Sequence, residues 1–297
     1  MYKKFFVFLF IISALGLLIP GISSAITVGP AKLEYKTDPG QTTQGFLTLK
    51  NEGNTTQTFY PSFERFTENT NGEKIFTKEI SDLATWFRMP SSVDLKDGES
   101  KQIPFTIEVP ADAPPGGHFA VIWWSAAPPN SNEPVAIVTR AGILVYMTVS
   151  GNISESGQIT SFGTDRRLYF GLPISFTLSF HNGGNIYEKP RGNLRVTNIF
   201  GAVKADLPVN QFGGQILPGN DKTFSMNWEG SGFFFGPYEA TLNLSFGDKT
   251  ATDTYWFILM SPLALIIFIL LIIAVFALPK AIRSYNRWVI KKAQGRN

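Results

Sequence analysis

The same short phrase is written twice in this chain. "LTLKNEGN" (Leu47–Asn54) and "LSFHNGGN" (Leu178–Asn185) stand 131 residues apart, each an alternating apolar run ending in Asn-x-Gly-Asn. The segments downstream of each copy keep the same order. "LKDGESKQIPFTIEVP" and "APPGGHFAVIWW" come after the first, "ILPGNDKTFSMNWEG" and "FFGPYEATLNLSF" after the second. Each copy reads as a strand, a tight Asn/Gly turn, a Leu-x-x-Gly type of turn, a second strand, and a Gly-rich bend into a long strand. Period-two alternation buries one face of each run, and Asn and Gly tolerate the positive φ of tight turns. A Greek-key sandwich used twice explains the order, so the expected fold class is all-β, two tandem immunoglobulin-like sandwiches. One stretch, "SDLATWF" (Ser81–Phe87), reads instead as a single helical turn capped by Ser81.

The two ends of the chain follow a different rule. "MYKKFFVFLFIISALGLLIPGISSA" carries Lys3 and Lys4, an apolar stretch and a small-residue Ser23-x-Ala25 site, the layout of a secretory signal peptide over residues 1–25. Near the other end, Phe257 to Leu278 is 22 residues without a charge, long enough for a transmembrane helix, with Tyr255 and Trp256 as interfacial aromatics. Residues 279–297 form a basic tail, and the positive-inside rule puts it in the cytoplasm and residues 26–256 outside the cell. After Pro279, Ile282, Tyr285, Trp288 and Val289 fall at near-helical spacing, which suits a helix lying on the inner leaflet. The ends also account for the charge. Eight of the 26 Lys and Arg lie there, leaving 18 against 23 acids between them, so the net charge of +3 reflects membrane topology and not nucleic-acid binding. No cysteine is present, so no disulfide staples the sandwiches. The polar "SGNISES" (Ser150–Ser156) divides the middle into domains of 26–149 and 150–256.

The first of these has a familiar pattern. "DPGQTTQGFLTLKNEGNTTQTFYPSFERF" and then "SDLATWFRMPSSVDLKDGESKQIPFTIEVPADAPPGGHFAVIWW" resemble the WxL-interacting proteins, membrane-anchored tandem immunoglobulin-like surface proteins of Gram-positive bacteria. The resemblance is carried by the Leu95-x-x-Gly98-Glu99-Ser100 turn, the Val109-Pro110 strand end and the Pro115-Gly116-Gly117 bend, within residues 26–148. It implies a first domain that binds peptidoglycan and a second that binds a host or matrix partner, the second matching only in outline.

The inventory of chemistry is sparse. His118 and His181 sit in different domains, and no GxSxG, P-loop or HExxH motif occurs. Asp94, Asp97 and Glu99 crowd one turn, where solvated acids are the ordinary outcome. No enzyme and no cofactor or metal is therefore expected. Binding is the better expectation, and two stretches stand out for it. In "HFAVIWW", Phe119, Val121 and Trp123 point to one face of a strand and Ala120, Ile122 and Trp124 to the other, both apolar. Ile122 and Trp124 are taken as the partner-facing pair. In "GSGFFFGPY", Phe233, Phe234 and Phe235 cannot all enter one core, so at least one should reach the surface. The expected function is a single-pass cell-surface adhesion or interaction scaffold that binds peptidoglycan, another cell-wall polymer or a surface protein. The alternatives are a chaperone-like assembly factor accepting a partner strand, or an accessory subunit of a membrane complex.

Overall fold

The computed structural model describes residues 26–69, 72–80, 82–128 and 139–294; the signal peptide expected at 1–25 and the cap at Ser81 lie outside them. The chain divides into two compact units. Unit one contains Lys74–Ile153 and the chain up to Thr67; unit two contains Ser154 onward together with Glu68–Glu73.

Unit one runs β1 (Ile26–Gly29), β2 (Lys32–Thr37), β3 (Thr42–Asn51), β4 (Gln57–Glu68) and β5 (Lys74–Thr77). A one-turn helix α1 (Asp82–Trp86) comes next, then β6 (Phe87–Arg88), β7 (Val93–Leu95), β8 (Ser100–Glu108), β9 (Gly116–Ser125) and β10 (Arg140–Val149). One sheet has the order β1-β3-β8-β6; the other is β2-β10-β9-β4-β5, with β7 on β4. Alternation builds the core between them. Leu47 and Leu49 from β3, Ile103, Phe105 and Ile107 from β8, and Ile143, Val145 and Met147 from β10 all point inward and are fully buried. Each such side chain contributes about 1.5–3 kcal/mol relative to exposure. Phe87, which the sequence pattern joins to the helix, instead opens β6.

Unit two runs β11 (Gly157–Thr164), β12 (Leu168–Tyr169), β13 (Ile174–Asn182), β14 (Arg191–Asn198) and β15 (Val203–Val209), then β16 (Asp221–Trp228), β17 (Pro237–Phe246) and β18 (Lys249–Leu259). Its sheets are β11-β13-β16 and β12-β18-β17-β14-β15. Both units thus pair an early short strand in parallel with their last strand, β2 with β10 and β12 with β18. The chain is all-β with sandwich-like sheets, apart from α1 and one long C-terminal helix.

The repeated phrase has a physical cause other than turn backbone. Asn51 and Asn182, at the ends of β3 and β13, are fully buried. Asn51 Nδ2 donates to the carbonyls of Thr55, Leu95 and Lys96 at 2.8–3.1 Å, and its Oδ1 accepts from Gly53 N at 2.9 Å. Asn182 does the same with Ile186, Ile216 and Gly184 N, at 2.8–2.9 Å. Both backbone N–H groups then donate across to the residue after a turn glycine, Glu99 O and Asn220 O. The expected positive φ falls on those glycines, Gly98 (+67°) and Gly219 (+73°), and not on Gly53 or Gly184. Gly184 is required for room, since a Cβ there would sit 2.4 Å from the Ser154 carbonyl oxygen.

Helix α2 runs Pro262–Gln294, long and apolar enough to cross a membrane. Its start corrects the sequence boundary. Phe257, Ile258 and Leu259 belong to β18, with Phe257 and Leu259 buried in the core of unit two, because the pleat continues inward-outward up to residue 259. Tyr255 and Trp256 likewise lie on this strand. The helix continues through Pro279 without a break, carrying Ile282, Tyr285 and Trp288 exposed on its last turns.

Unit two also buries an acid. Glu188 is 3% exposed, bridges Ile216 through its backbone and leaves Oε1 without a partner. Burial, reinforced by the charge of Glu155 and opposed by that of Lys249, pushes its pKa up to about 7.

Candidate binding face of the first unit

Strand β9 is the centre of the larger sheet of unit one. It pairs with β10 over ten residues and with β4 from Glu64 to Tyr60. Its even-numbered residues Ala120, Ile122 and Trp124 face the other sheet, and all three are at 0% exposure within the core. Ile122 and Trp124 are therefore not partner-facing, which corrects the expectation. The alternation in "HFAVIWW" names two faces but not which is inner; the opposing sheet of β3 and β8 decides it. Trp124 even leaves its indole Nε1 unpaired in the core.

The outward residues of β9 divide into a closed and an open part. In the closed part, Phe66, Phe119 and Tyr146 pack ring against ring with centroids 5.4–6.1 Å apart, and Phe66 and Tyr146 are 1% exposed. Lys74 of β5 extends its ammonium over Phe66 and Tyr146 at 5.6 and 5.9 Å. This hairpin arm is the cover that a doubly apolar strand requires.

The open part is centred on Trp123. Gly142 lies opposite it on β10, and a Cβ at that glycine would stand 2.5 Å from the indole, so the missing side chain lets the ring lie flat on the strand. The Arg140 guanidinium sits over the same ring at 4.2 Å, a cation–π contact. Glu64 on β4 fixes both groups: Trp123 Nε1 donates to its Oε2 at 2.9 Å and Arg140 Nη1 to its Oε1 at 2.7 Å. Phe76 closes one side, edge-on to Trp123 at 4.9 Å. Tyr60 and Ser62 occupy the neighbouring positions on β4, directly opposite Ser125 and Trp123.

Chemically this is an ordered aromatic and charged patch. The Arg140 side chain is 45% exposed while Glu64 is 12% exposed, so the acid acts as a half-buried clamp and the guanidinium as the presented group. Arginine has five donors in a planar fork, suited to carboxylate and phosphate oxygens. Trp, Tyr and Arg together are the residue types that dominate binding energy at interfaces. Finding this cluster from sequence would have needed the β9–β10 register, which places Gly142 beside Trp123.

The remaining candidate residues lie elsewhere. Phe233 and Phe235 are 60% and 48% exposed, whereas Phe234 turns in against Trp228 and Tyr238 at 5.6 and 6.4 Å. Asp94 accepts from Thr58 Oγ1 and Glu99 from Lys96 N, both within the local strand and turn. His118 is tied to Asp82 at 2.5 Å and to the Pro114 carbonyl at 2.8 Å, and His181 to Asp221 at 3.1 Å. Burial alone would lower the His118 pKa, but the bonds to Asp82 and Pro114 outweigh it and raise it. Among the described residues no group of three or more His, Asp or Glu is placed to hold a metal ion.

No protein family matches the chain, and no curated protein does. Solved structures with a similar chain trace include the class 5 fimbriae chaperone CfaA, at 13% identity over 77% of this chain and 98% of that one, TM-score 0.43. The YadV chaperone is similar at 11% identity over 78% and 98%, TM-score 0.39. A chain of the Salmonella enterica SafA pilin–SafB chaperone complex is similar at 16% identity over 78% and 96%, TM-score 0.38.

Proposed function

We propose that the protein is a single-pass, membrane-anchored binding protein whose first unit holds an anionic cell-wall polymer. The observation that carries this reading is the exposed Arg140 guanidinium, stacked on Trp123 and clamped by Glu64 on an open sheet face. A fixed, partly exposed guanidinium beside an aromatic surface matches the carboxylates, phosphates and apolar sugar faces of such polymers. The resemblance of residues 26–148 to the WxL-interacting proteins points to the same ligand class. Helix α2 is the anchor, and Lys280, Arg283 and Arg287 beyond its apolar stretch favour a cytoplasmic C-terminus with both units outside. The strand-accepting alternative would use one of the outer strands, such as β6, β11 or β15, none of which carries an ordered cluster like that around Arg140.

The test uses the full chain in detergent micelles and purified Gram-positive sacculi as the probe. Arg140→Ala should weaken sedimentation with sacculi about tenfold or more, in line with the loss of an interface anchor. Equal sedimentation of the wild type and Arg140→Ala would remove this face from the function.

A further inference from the structure

Ten large apolar side chains of unit two outside α2 are strongly exposed, and nine of them lie at the end that carries the helix. Strand register fixes this placement. Val203, Thr197, Glu239 and Trp256 form one rung across β15, β14, β17 and β18, near the C-terminal end of β18. Ile258 pairs with Leu168 on β12 two residues further along. The β14–β15 turn reaches past Asn198, the partner of Tyr238, and holds Ile199 and Phe200 at 53% and 85% exposure. Phe233 and Phe235 project from the segment leading into β17, and Phe170 from the one after β12. The tenth residue, Phe212, is in the turn after β15, beyond Val209 at the opposite end of the ladder.

Two of these segments, β12 and the one leading into β17, are bonded to the root of the helix. Met260 N donates to Tyr169 O and Ser261 N to Phe234 O, both at 2.9 Å, and Leu259 N to Gly236 O at 3.0 Å. One side of the helix start is packed down, with Ser261 and Ala264 only 6% and 2% exposed, while Leu263 faces out. Phe235 lies against Phe268, ring centroids 5.8 Å apart, which is about 9 Å into the helix at 1.5 Å per residue. The helix has no length to spare. From Pro262 to Pro279, before Lys280, it spans roughly 27 Å, against a hydrocarbon core of about 30 Å. A span that short cannot also hold unit two clear of the bilayer.

We propose that the helix-bearing end of unit two is seated in the bilayer interface, its β14–β15 turn, 229–236 loop and β12 edge inserted among lipid headgroups. Trp256 then occupies the interfacial layer that tryptophan prefers, and Phe200 and Phe233 reach the upper acyl chains. The inference rests on α2 spanning the bilayer, as proposed above. It makes the anchor a helix plus a domain foot, with a fixed orientation of unit two on the membrane.

The chain contains no cysteine, so single cysteines report cleanly. Spin labels at Phe200→Cys, Phe233→Cys, Phe212→Cys and Leu271→Cys would be read in phosphatidylcholine–phosphatidylglycerol vesicles. Collision with oxygen, which concentrates in lipid, is compared with collision with a water-soluble nickel chelate. The oxygen-to-nickel ratio at residues 200 and 233 should exceed that at 212 several-fold and approach that at 271. Ratios at 200 and 233 equal to that at 212, with 271 in lipid, would overturn the seat and leave the span intact. Protection of 200 and 233 from both reagents would assign them to a protein partner and also overturn it. A water-exposed 271 would remove the span itself.

Discussion

The two units share a buried framework and differ in where they leave apolar side chains uncovered. In both, an asparagine at the end of an inner strand binds the carbonyl four residues on and the apolar residue of the crossing turn. Unit one then places its ordered surface cluster on a sheet face, around Trp123 and Arg140. Unit two places its exposed aromatics, Phe212 excepted, around one end, where α2 departs. A sandwich core constrains only the inward half of each strand, so outward residues and turn tips are where otherwise similar units can diverge.

The largest expected effect tests the inner side of that contrast. Trp124→Ala should cost unit one about 3–5 kcal/mol, as for large core truncations, and leave unit two unaffected. Urea titration of the full chain in detergent would read this as loss of one unfolding transition; a preserved unit-one transition would mean that Trp124 is not core. The shared framework is tested next. Asn51→Ala and Asn182→Ala should each cost about 2–3 kcal/mol, each in its own unit, because several buried groups lose their partners at once. An effect confined to one of the two would show that the repeat is not energetically equivalent.

The smallest effect separates the units by pH. The Glu188 pKa is raised from 4.5 to about 7, so the folded state favours the neutral acid. Its contribution is fully present below pH 4.5 and is lost as pH rises toward 7, on the order of 2 kcal/mol once local water entry is allowed for. Thermal melts of the full chain at stepped pH should show unit two weakening over that window, and Glu188→Gln should flatten the trend. A parallel slope in the wild type and Glu188→Gln would assign it to other groups.

Much of the fold was legible because period-two alternation is local. Leu47, Leu49, Phe176 and Leu178 declare their inward side within a few residues, and the Asn-x-Gly-Asn phrase marks equivalent places in both units. The role of that phrase was not legible. A side chain that bonds to Leu95 from residue 51 acts over 44 residues, beyond any turn rule. The candidate face was half legible: the two sides of β9 were distinguishable, but the inner side was set by β3 and β8, distant in sequence. The helix start was misplaced by five residues because an inward-facing Phe257 and Leu259 have the same hydropathy as membrane residues.

The passage from β18 into α2 has a mechanical consequence. β18 lies inside its sheet, paired with β17 over ten residues and in parallel with β12, and leads within two residues into α2. If α2 spans a bilayer as proposed, tension drawn through it enters the sandwich along the axis of this strand. Its ladder is then loaded in shear, so many hydrogen bonds must yield together, whereas a strand peeled from its end gives them up singly. Resistance to such a pull is set by the rate of forced unfolding and not by equilibrium stability. A load taken up through α2 would therefore meet a strand held on both flanks before any outer strand of unit two.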